Sequence, residues 1–164
     1  MLVLKPTVAD VYSWLKAVKD PEIPVLSLVD LGVITNVIIE NNHVKVEMTP
    51  TFVGCPAMDL MRSEVLEVLR KHGIENPEVE MNFKHAWSSD RISENGKRVL
   101  KEFGLAPPPS TKEIFHNLDI LEHATCPRCN GINTEMKSPF GPTLCRSLHY
   151  CFDCREAFEQ FKPL

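Results

Sequence analysis

Five of the six cysteines in this chain lie beyond residue 125, and four of them form two Cys-x-x-Cys pairs. The pairs are Cys126-Pro-Arg-Cys129 and Cys151-Phe-Asp-Cys154, with 21 residues between them. That spacing is the signature of a four-thiolate zinc site. Two residues between ligands let the backbone wrap until both sulfurs face one ion, and Gly131 helps the first turn close. Two such turns complete a tetrahedron without an open position, so the ion holds structure and does no chemistry. A segment of about 50 residues buries too little apolar surface to fold alone, so metal binding supplies the missing free energy. The same four thiolates also suit mononuclear iron or an iron–sulfur cluster. A redox pair would open a helix in a βαβ context, which is absent here. Cys145, between the pairs, reads as a packed side chain and not as a ligand.

The sixth cysteine stands apart, in the stretch Thr51-Phe-Val-Gly-Cys55-Pro-Ala-Met58. Pro56 is favoured at the first position of a helix, which would make Cys55 the N-cap. There the free backbone N–H groups and the helix dipole would favour a thiolate over a thiol. Thr49 and Thr51 add hydroxyls at the end of the preceding strand. Asp20, Glu22 and Asp30 lie in loops that could reach the same end of the sheet. The corner therefore reads as a small anion- or metal-binding site. The plainer reading is that Cys55 is a small buried hydrophobe and the threonines are ordinary strand residues. The pattern does not choose between the two, and it leaves His85 and Trp87 undecided between surface and core.

The elements that would position these residues follow from periodicity. Thr7 can cap a helix with Asp10 three residues on, and Val8, Val11, Leu15 and Val18 recur at helical spacing until Asp20-Pro21 stops it. Two strands follow. Val33, Thr35, Val37 and Ile39 alternate on the first, and Val44, Val46 and Met48 on the second, with Asn41-Asn42 suited to a tight turn. A second helix from Pro56 carries Ala57, Leu60, Met61, Val65, Val68 and Leu69 and ends at Gly73. Val79, Met81 and Phe83 form a third strand. Ile92, Val99, Leu100 and Phe103 suggest a third helix ending at Gly104, with Gly96 as a weak point inside it. The prolines at 107 to 109 make a semi-rigid spacer. The expected architecture is α+β: a two-layer helix–hairpin–helix–strand domain over residues 1–104, a proline-rich linker over 105–112, and a four-cysteine module over 113–164.

With 43% apolar and 24% charged residues the 164-residue chain has a globular composition. A net charge of −4 and the absence of a basic run argue against a nucleic-acid partner. No apolar run reaches the length of a membrane span, and the first residues lack a signal-peptide pattern, so a cytoplasmic location is expected. Nucleotide-binding glycine motifs, the G-x-S-x-G elbow and the H-E-x-x-H helix are all missing.

The stretches DPEIPVLSLVDLGVI, TPTFVGCPA and AWSSDRIS resemble the small domain of iron–sulfur assembly factors, which include SufT and the eukaryotic cytosolic scaffold. Together with CPRC, FGPTLC and CFDCREAFEQFK, nearly the whole chain is similar to the PaaD (PaaJ) family of phenylacetate-degradation proteins. That family is encoded with the phenylacetyl-CoA ring epoxidase. The resemblance implies a C-terminal zinc ribbon and an accessory role in maturing iron or iron–sulfur centres of the epoxidase complex. It implies no catalytic activity of the chain's own. It places the family's cysteine at Cys55 and its acidic loop at Asp20 and Glu22, with iron or a cluster held transiently at Cys55 and Thr49 and Thr51 in support. The implied partners are proteins, either epoxidase components or the assembly machinery, and a homodimer is compatible with it. The rival readings are a structural subunit of the complex and a thiol enzyme acting on a CoA thioester.

Overall fold

The computed structural model describes residues 5–40, 43–52 and 54–164. The chain divides into two compact units, Met1–Trp87 and Ser88–Leu164. The fold is α+β, as expected. Residues 105–112, expected as a linker, fall within the second unit, where Leu105 and Ala106 pair with the last strand of the sheet.

In the first unit, α1 (Val8–Leu15) starts at Thr7, whose hydroxyl accepts from the Asp10 N–H while the Asp10 carboxylate accepts from the Thr7 N–H. This reciprocal cap satisfies two donors that the first turn would otherwise leave unpaired. The helix ends at Lys16, before Pro21, and Val18 is buried outside it. Val8, at the helix start, is exposed.

Strands β1 (Ile34–Glu40) and β2 (His43–Met48) pair antiparallel, and β3 (Glu78–Met81) joins β2 in parallel. Strand β2 is therefore central, and Val44, Val46 and Met48 are each 0% exposed. The expected alternation in β1 is shifted by a bulge between Ile34 and Asn36, so Ile34 and Val37 are the residues that face inward. The expected Asn41-Asn42 turn lies outside the described residues. A parallel pair needs a crossover, which α2 (Met58–Lys71) supplies. Met61, Val65 and Leu69 on its inner stripe are buried, whereas Leu60 points to solvent. Helix α1 packs on α2 and β1, and α2 on β3, which makes the second layer. Strand β3 stops at Met81, leaving Phe83 exposed.

Between α1 and β1, residues 19–33 form a packed loop. Ile23, Leu26, Leu28, Leu31 and Val33 are all at most 1% exposed. The Trp87 indole N–H donates to the Leu31 carbonyl at 3.1 Å and ties this loop down.

The second unit opens with α3 (Glu94–Phe103), capped by Ser93, whose hydroxyl accepts from the Gly96 N–H. Gly96 thus sits in the first turn, where flexibility costs little, and Gly104 ends the helix with φ of 92°. Strand β4 (Leu105–Ala106), helix α4 (Thr111–His116) and strands β5 (Thr134–Ser138), β6 (Arg146–Cys151) and β7 (Glu156–Phe161) follow. The sheet order is β4-β7-β6-β5, with β4 parallel to β7 and the other neighbours antiparallel. Leu105 and Ala106 are buried. The Gln160 amide donates to the Pro107 carbonyl, and Asp90 accepts from both the backbone N–H and the hydroxyl of Thr111. These contacts are why the proline segment does not act as a free spacer.

Candidate metal centre and the Cys55 corner

Each Cys-x-x-Cys pair ends in a residue with left-handed backbone. Asn130 has φ of 60° and follows Cys129, and Arg155 has φ of 61° and follows Cys154. These two are the non-glycine residues with positive φ among those described, and they occupy equivalent places in two like turns. In the first turn the Asn130 N–H donates to the Cys126 carbonyl at 3.0 Å and the Cys126 N–H to the Gly131 carbonyl at 2.9 Å. The Gly131 N–H then points at the Cys129 sulfur, 3.4 Å away. A left-handed residue after each pair folds the following chain back on the pair, which in the first turn brings the Gly131 N–H to the Cys129 sulfur.

The four sulfurs of Cys126, Cys129, Cys151 and Cys154 lie within 4.8 Å of one another. Across the two turns, Cys126 and Cys154 are 3.8 Å apart and Cys129 and Cys151 are 3.6 Å apart. A tetrahedron of sulfurs at about 2.3 Å from a zinc ion has edges of about 3.8 Å, so the spacing fits that ion. Burial pushes the Cys154 thiol up to about 12, while the backbone N–H of Cys154 holds the Cys151 thiol below its ordinary value. Four thiolates this close repel one another, and a dication at their centre removes that cost. The donor set thus forms a metal-binding group, and its chemistry and geometry favour zinc. The surrounding buried cluster is small: Ala106, Ala124 and Phe158 besides Cys126 and Cys151. Cys145, buried on the far side of the β5–β6 hairpin in sequence, has its sulfur 3.1 Å from the Thr143 hydroxyl and is not among the four.

The corner at Cys55 is built differently from the sequence expectation. The cap of α2 is Ala57, without a side-chain hydrogen bond, and Cys55 lies two residues before it. Cys55 joins two turns. Its N–H donates to the Phe52 carbonyl at 3.3 Å, with Gly54 at φ of 82° completing that turn, and its carbonyl accepts from the Met58 N–H at 3.3 Å. Pro56 and Ala57 occupy the middle of the second turn, where proline's fixed φ suits the first of the two places. Proline therefore leads into the helix from a turn instead of starting it. The Cys55 side chain is half-buried.

Thr49 is buried. Its N–H donates to the Val33 carbonyl at 2.9 Å, and its hydroxyl meets that of Thr35 at 3.5 Å. Thr51 is half-buried beyond it. Asp20 is buried and one carboxylate oxygen accepts from the backbone N–H groups of Glu22 at 2.8 Å and Ile23 at 2.9 Å. Asp30 and Ser27 cap each other, with the Ser27 hydroxyl donating at 2.6 Å. Two of the acids thus bind their own loop. Asp20 also lines a groove of about 400 Å³ with Glu64, Glu67 and Lys71 of α2, and Cys55 is not among the residues lining it. Glu22 and His85 are exposed. The structural role of Trp87 was not readable in the sequence, because nothing local marks a tryptophan whose partner is a carbonyl 56 positions away.

No helix among the described residues is long and apolar enough to cross a membrane. Residues 8–81 match the family described as iron–sulfur cluster assembly proteins, and residues 111–162 match the PaaD zinc beta ribbon domain. A candidate component of the 1,2-phenylacetyl-CoA epoxidase of Escherichia coli (strain K12) is 33% identical over 96% of this chain and 93% of its own length. An Fe-S protein maturation auxiliary factor of Porphyromonas gingivalis (strain ATCC BAA-308 / W83) is 37% identical over 57% of this chain and 90% of its own. Among solved structures, a domain of unknown function (DUF59) from Bacillus anthracis superposes with a TM-score of 0.52. It is 34% identical and covers 56% of this chain and 89% of its own.

Proposed function

The chain belongs to the PaaD family of 1,2-phenylacetyl-CoA epoxidase components, and we propose that it is the accessory factor that matures iron or iron–sulfur centres of such an epoxidase complex. The observation that carries this reading is the union of two modules in one chain. An assembly-family domain holding a half-buried cysteine between two turns is followed by a four-sulfur metal group. Cys55 would hold iron or a cluster in passage, with Thr49 and Thr51 at the strand end beside it and Asp20 and Glu22 in the acidic loop. The four-cysteine ribbon would hold structural zinc and dock on protein clients, either the epoxidase components or the assembly machinery.

The test uses epoxidase oxygenase and reductase made with and without this protein. A maturation factor leaves its absence visible as low iron content, and the client, once metallated, turns over normally without it. A catalytic subunit would be needed in every assay in stoichiometric amount, and a pure scaffold would lower complex recovery with iron unchanged. Cys55→Ala sharpens the comparison, because a methyl group cannot replace a thiolate ligand. The variant is expected to fold, to keep its zinc and to leave the client short of iron. Normal iron loading by Cys55→Ala would refute the role assigned to this thiol.

A further inference from the structure

We propose that the tip of the β5–β6 hairpin is the docking knob of the second unit, and that it seats in an apolar, acid-rimmed pocket on a protein client. The proposal rests on the docking role given to the ribbon above, and it names the surface and the chemistry of the partner. Pro139, Phe140, Pro142 and Leu144 are all exposed at this tip. Phe140 is 73% exposed and Leu144 64%. A polar two-residue turn is enough to close two antiparallel strands. The apolar side chains here are therefore more than the hairpin itself needs.

The tip is exposed but fixed in shape. The Gly141 N–H donates to the Arg146 carbonyl at 2.9 Å, and the Arg146 N–H to the Thr143 carbonyl at 3.2 Å. The Ser138 hydroxyl donates to the Phe140 carbonyl at 2.9 Å and accepts from the Phe140 N–H at 3.0 Å. A β-carbon on Gly141 would lie 3.0 Å from the Arg146 carbonyl oxygen, so the close crossing suits glycine. Pro139 and Pro142 remove two more soft torsions. At the base, the Lys162 N–H donates to the Cys145 carbonyl at 2.9 Å and ties the hairpin to the chain leaving β7. A knob already held in its bound shape loses little entropy on docking.

Charge selects the partner. From Met136 to Phe152 the sequence holds no Asp or Glu, in a chain of net charge −4. Lys137 pairs with Glu135 at 2.7 Å and Arg146 with Glu159 at 2.9 Å, which neutralises both. The Lys162 ammonium lies 5.5 Å from the centre of the Phe140 ring, and among the described residues it meets no carboxylate. The tip thus offers an aromatic anchor with an uncompensated cation at its rim, and its complement is an apolar pocket edged by carboxylates. A two-fold contact between the tips of two copies would set Lys162 against Lys162. Nucleic acid and anionic membranes draw on clusters of cations, and this tip has one to give.

The experiment measures binding of the full-length protein to purified epoxidase oxygenase and reductase components by biolayer interferometry. Phe140→Ala is expected to weaken binding about tenfold or more, chiefly through faster dissociation. Lys162→Glu should slow association, and added salt should slow association of the wild type but not of this variant. Phe115→Ala, which removes a still more exposed aromatic from α4, should bind as the wild type does. Zinc content and the urea midpoint are measured for each variant and should not change. Wild-type affinity in both Phe140→Ala and the Phe140→Ala/Leu144→Ala double variant overturns the proposal and leaves the docking reading standing. Binding of the wild type to neither component defeats the docking reading itself, and the knob's assignment to those clients with it. Phe140-dependent binding to phosphatidylglycerol vesicles, or Phe140-dependent self-association in sedimentation, would overturn the proposal by giving the tip another occupant.

Discussion

Stripping the metal from the second unit should unfold it, and the size of the effect can be worked out. At roughly 0.05–0.15 kcal/mol per residue, a unit the length of Ser88–Leu164 is stable by about 4–12 kcal/mol. The buried cluster around the cysteines has one large side chain, Phe158, with Leu105 and Phe161 buried elsewhere in the sheet. Burying a phenylalanine contributes about 1.5–3 kcal/mol. A structural four-ligand zinc site contributes about 10–16 kcal/mol at neutral pH, which equals or exceeds the whole margin. Cys126→Ser removes a buried ligand and should therefore leave the ribbon unfolded. Both tryptophans, Trp14 and Trp87, lie in the first unit. Their fluorescence in a urea titration reports that unit alone, and its midpoint is expected to hold in Cys126→Ser. Amide exchange across residues 126–161 should meanwhile become fast. A Cys126→Ser protein that keeps slow exchange there, or a chelated wild type that does, would refute the reasoning that the ion is the ribbon's main support.

Two further outcomes follow from the packing and the caps. Leu69→Ala, at a site 0% exposed on the inner stripe of α2, should cost about 2–5 kcal/mol and lower the urea midpoint read by tryptophan fluorescence. The hydroxyl and backbone N–H of Thr111 hold the Asp90 carboxyl below its ordinary value of 3.8. A carboxyl depressed on folding stabilises above the unfolded value and loses that contribution as pH falls through the folded one. The protection of α4 amides, taken relative to their intrinsic exchange rate at each pH, should therefore fall below pH 3.8, and Asp90→Asn should show the same loss of protection at neutral pH; protection that ignores both changes would show that this contact does not hold the helix.

Much of this was legible because the signals are local. The Thr7–Asp10 cap, the alternation of Val44, Val46 and Met48, and the Met61–Val65–Leu69 stripe each depend on neighbours a few positions away. The group of four cysteines was legible because the spacing that lets four sulfurs meet is itself a geometric constraint. Other features were not. The bulge at Ile34–Asn36 moved the buried face of β1, since one extra residue reverses a period of two. Pro56 is compatible both with a helix start and with a turn, and only the hydrogen bond from Met58 to the Cys55 carbonyl decides between them. The proline run reads as a spacer, yet its preceding Leu105-Ala106 pairs with residues more than fifty positions later, and no window of sequence contains both partners. The acids at 20 and 30 read as lining a shared site. They are spent largely on their own turns, which is the ordinary use of aspartate beside proline and glycine.

The pairing of β4 with β7 also sets an order of events. In the sheet order β4-β7-β6-β5 the latest strand in sequence is an inner one, with neighbours on both sides. Leu105 and Ala106 leave the ribosome early but have no strand to join until Glu159 and Gln160 exist. Until then the apolar pair, the prolines behind it and the first cysteine turn wait without their sheet, and closing so long a loop is slow compared with forming a hairpin. The first cysteine turn can meet a metal ion during that interval, but the second two ligands arrive only with Cys151 and Cys154. If the four cysteines take a metal ion, its capture and the closure of the sheet fall at the same late moment of synthesis, because both wait for the segment from Cys151 to Gln160.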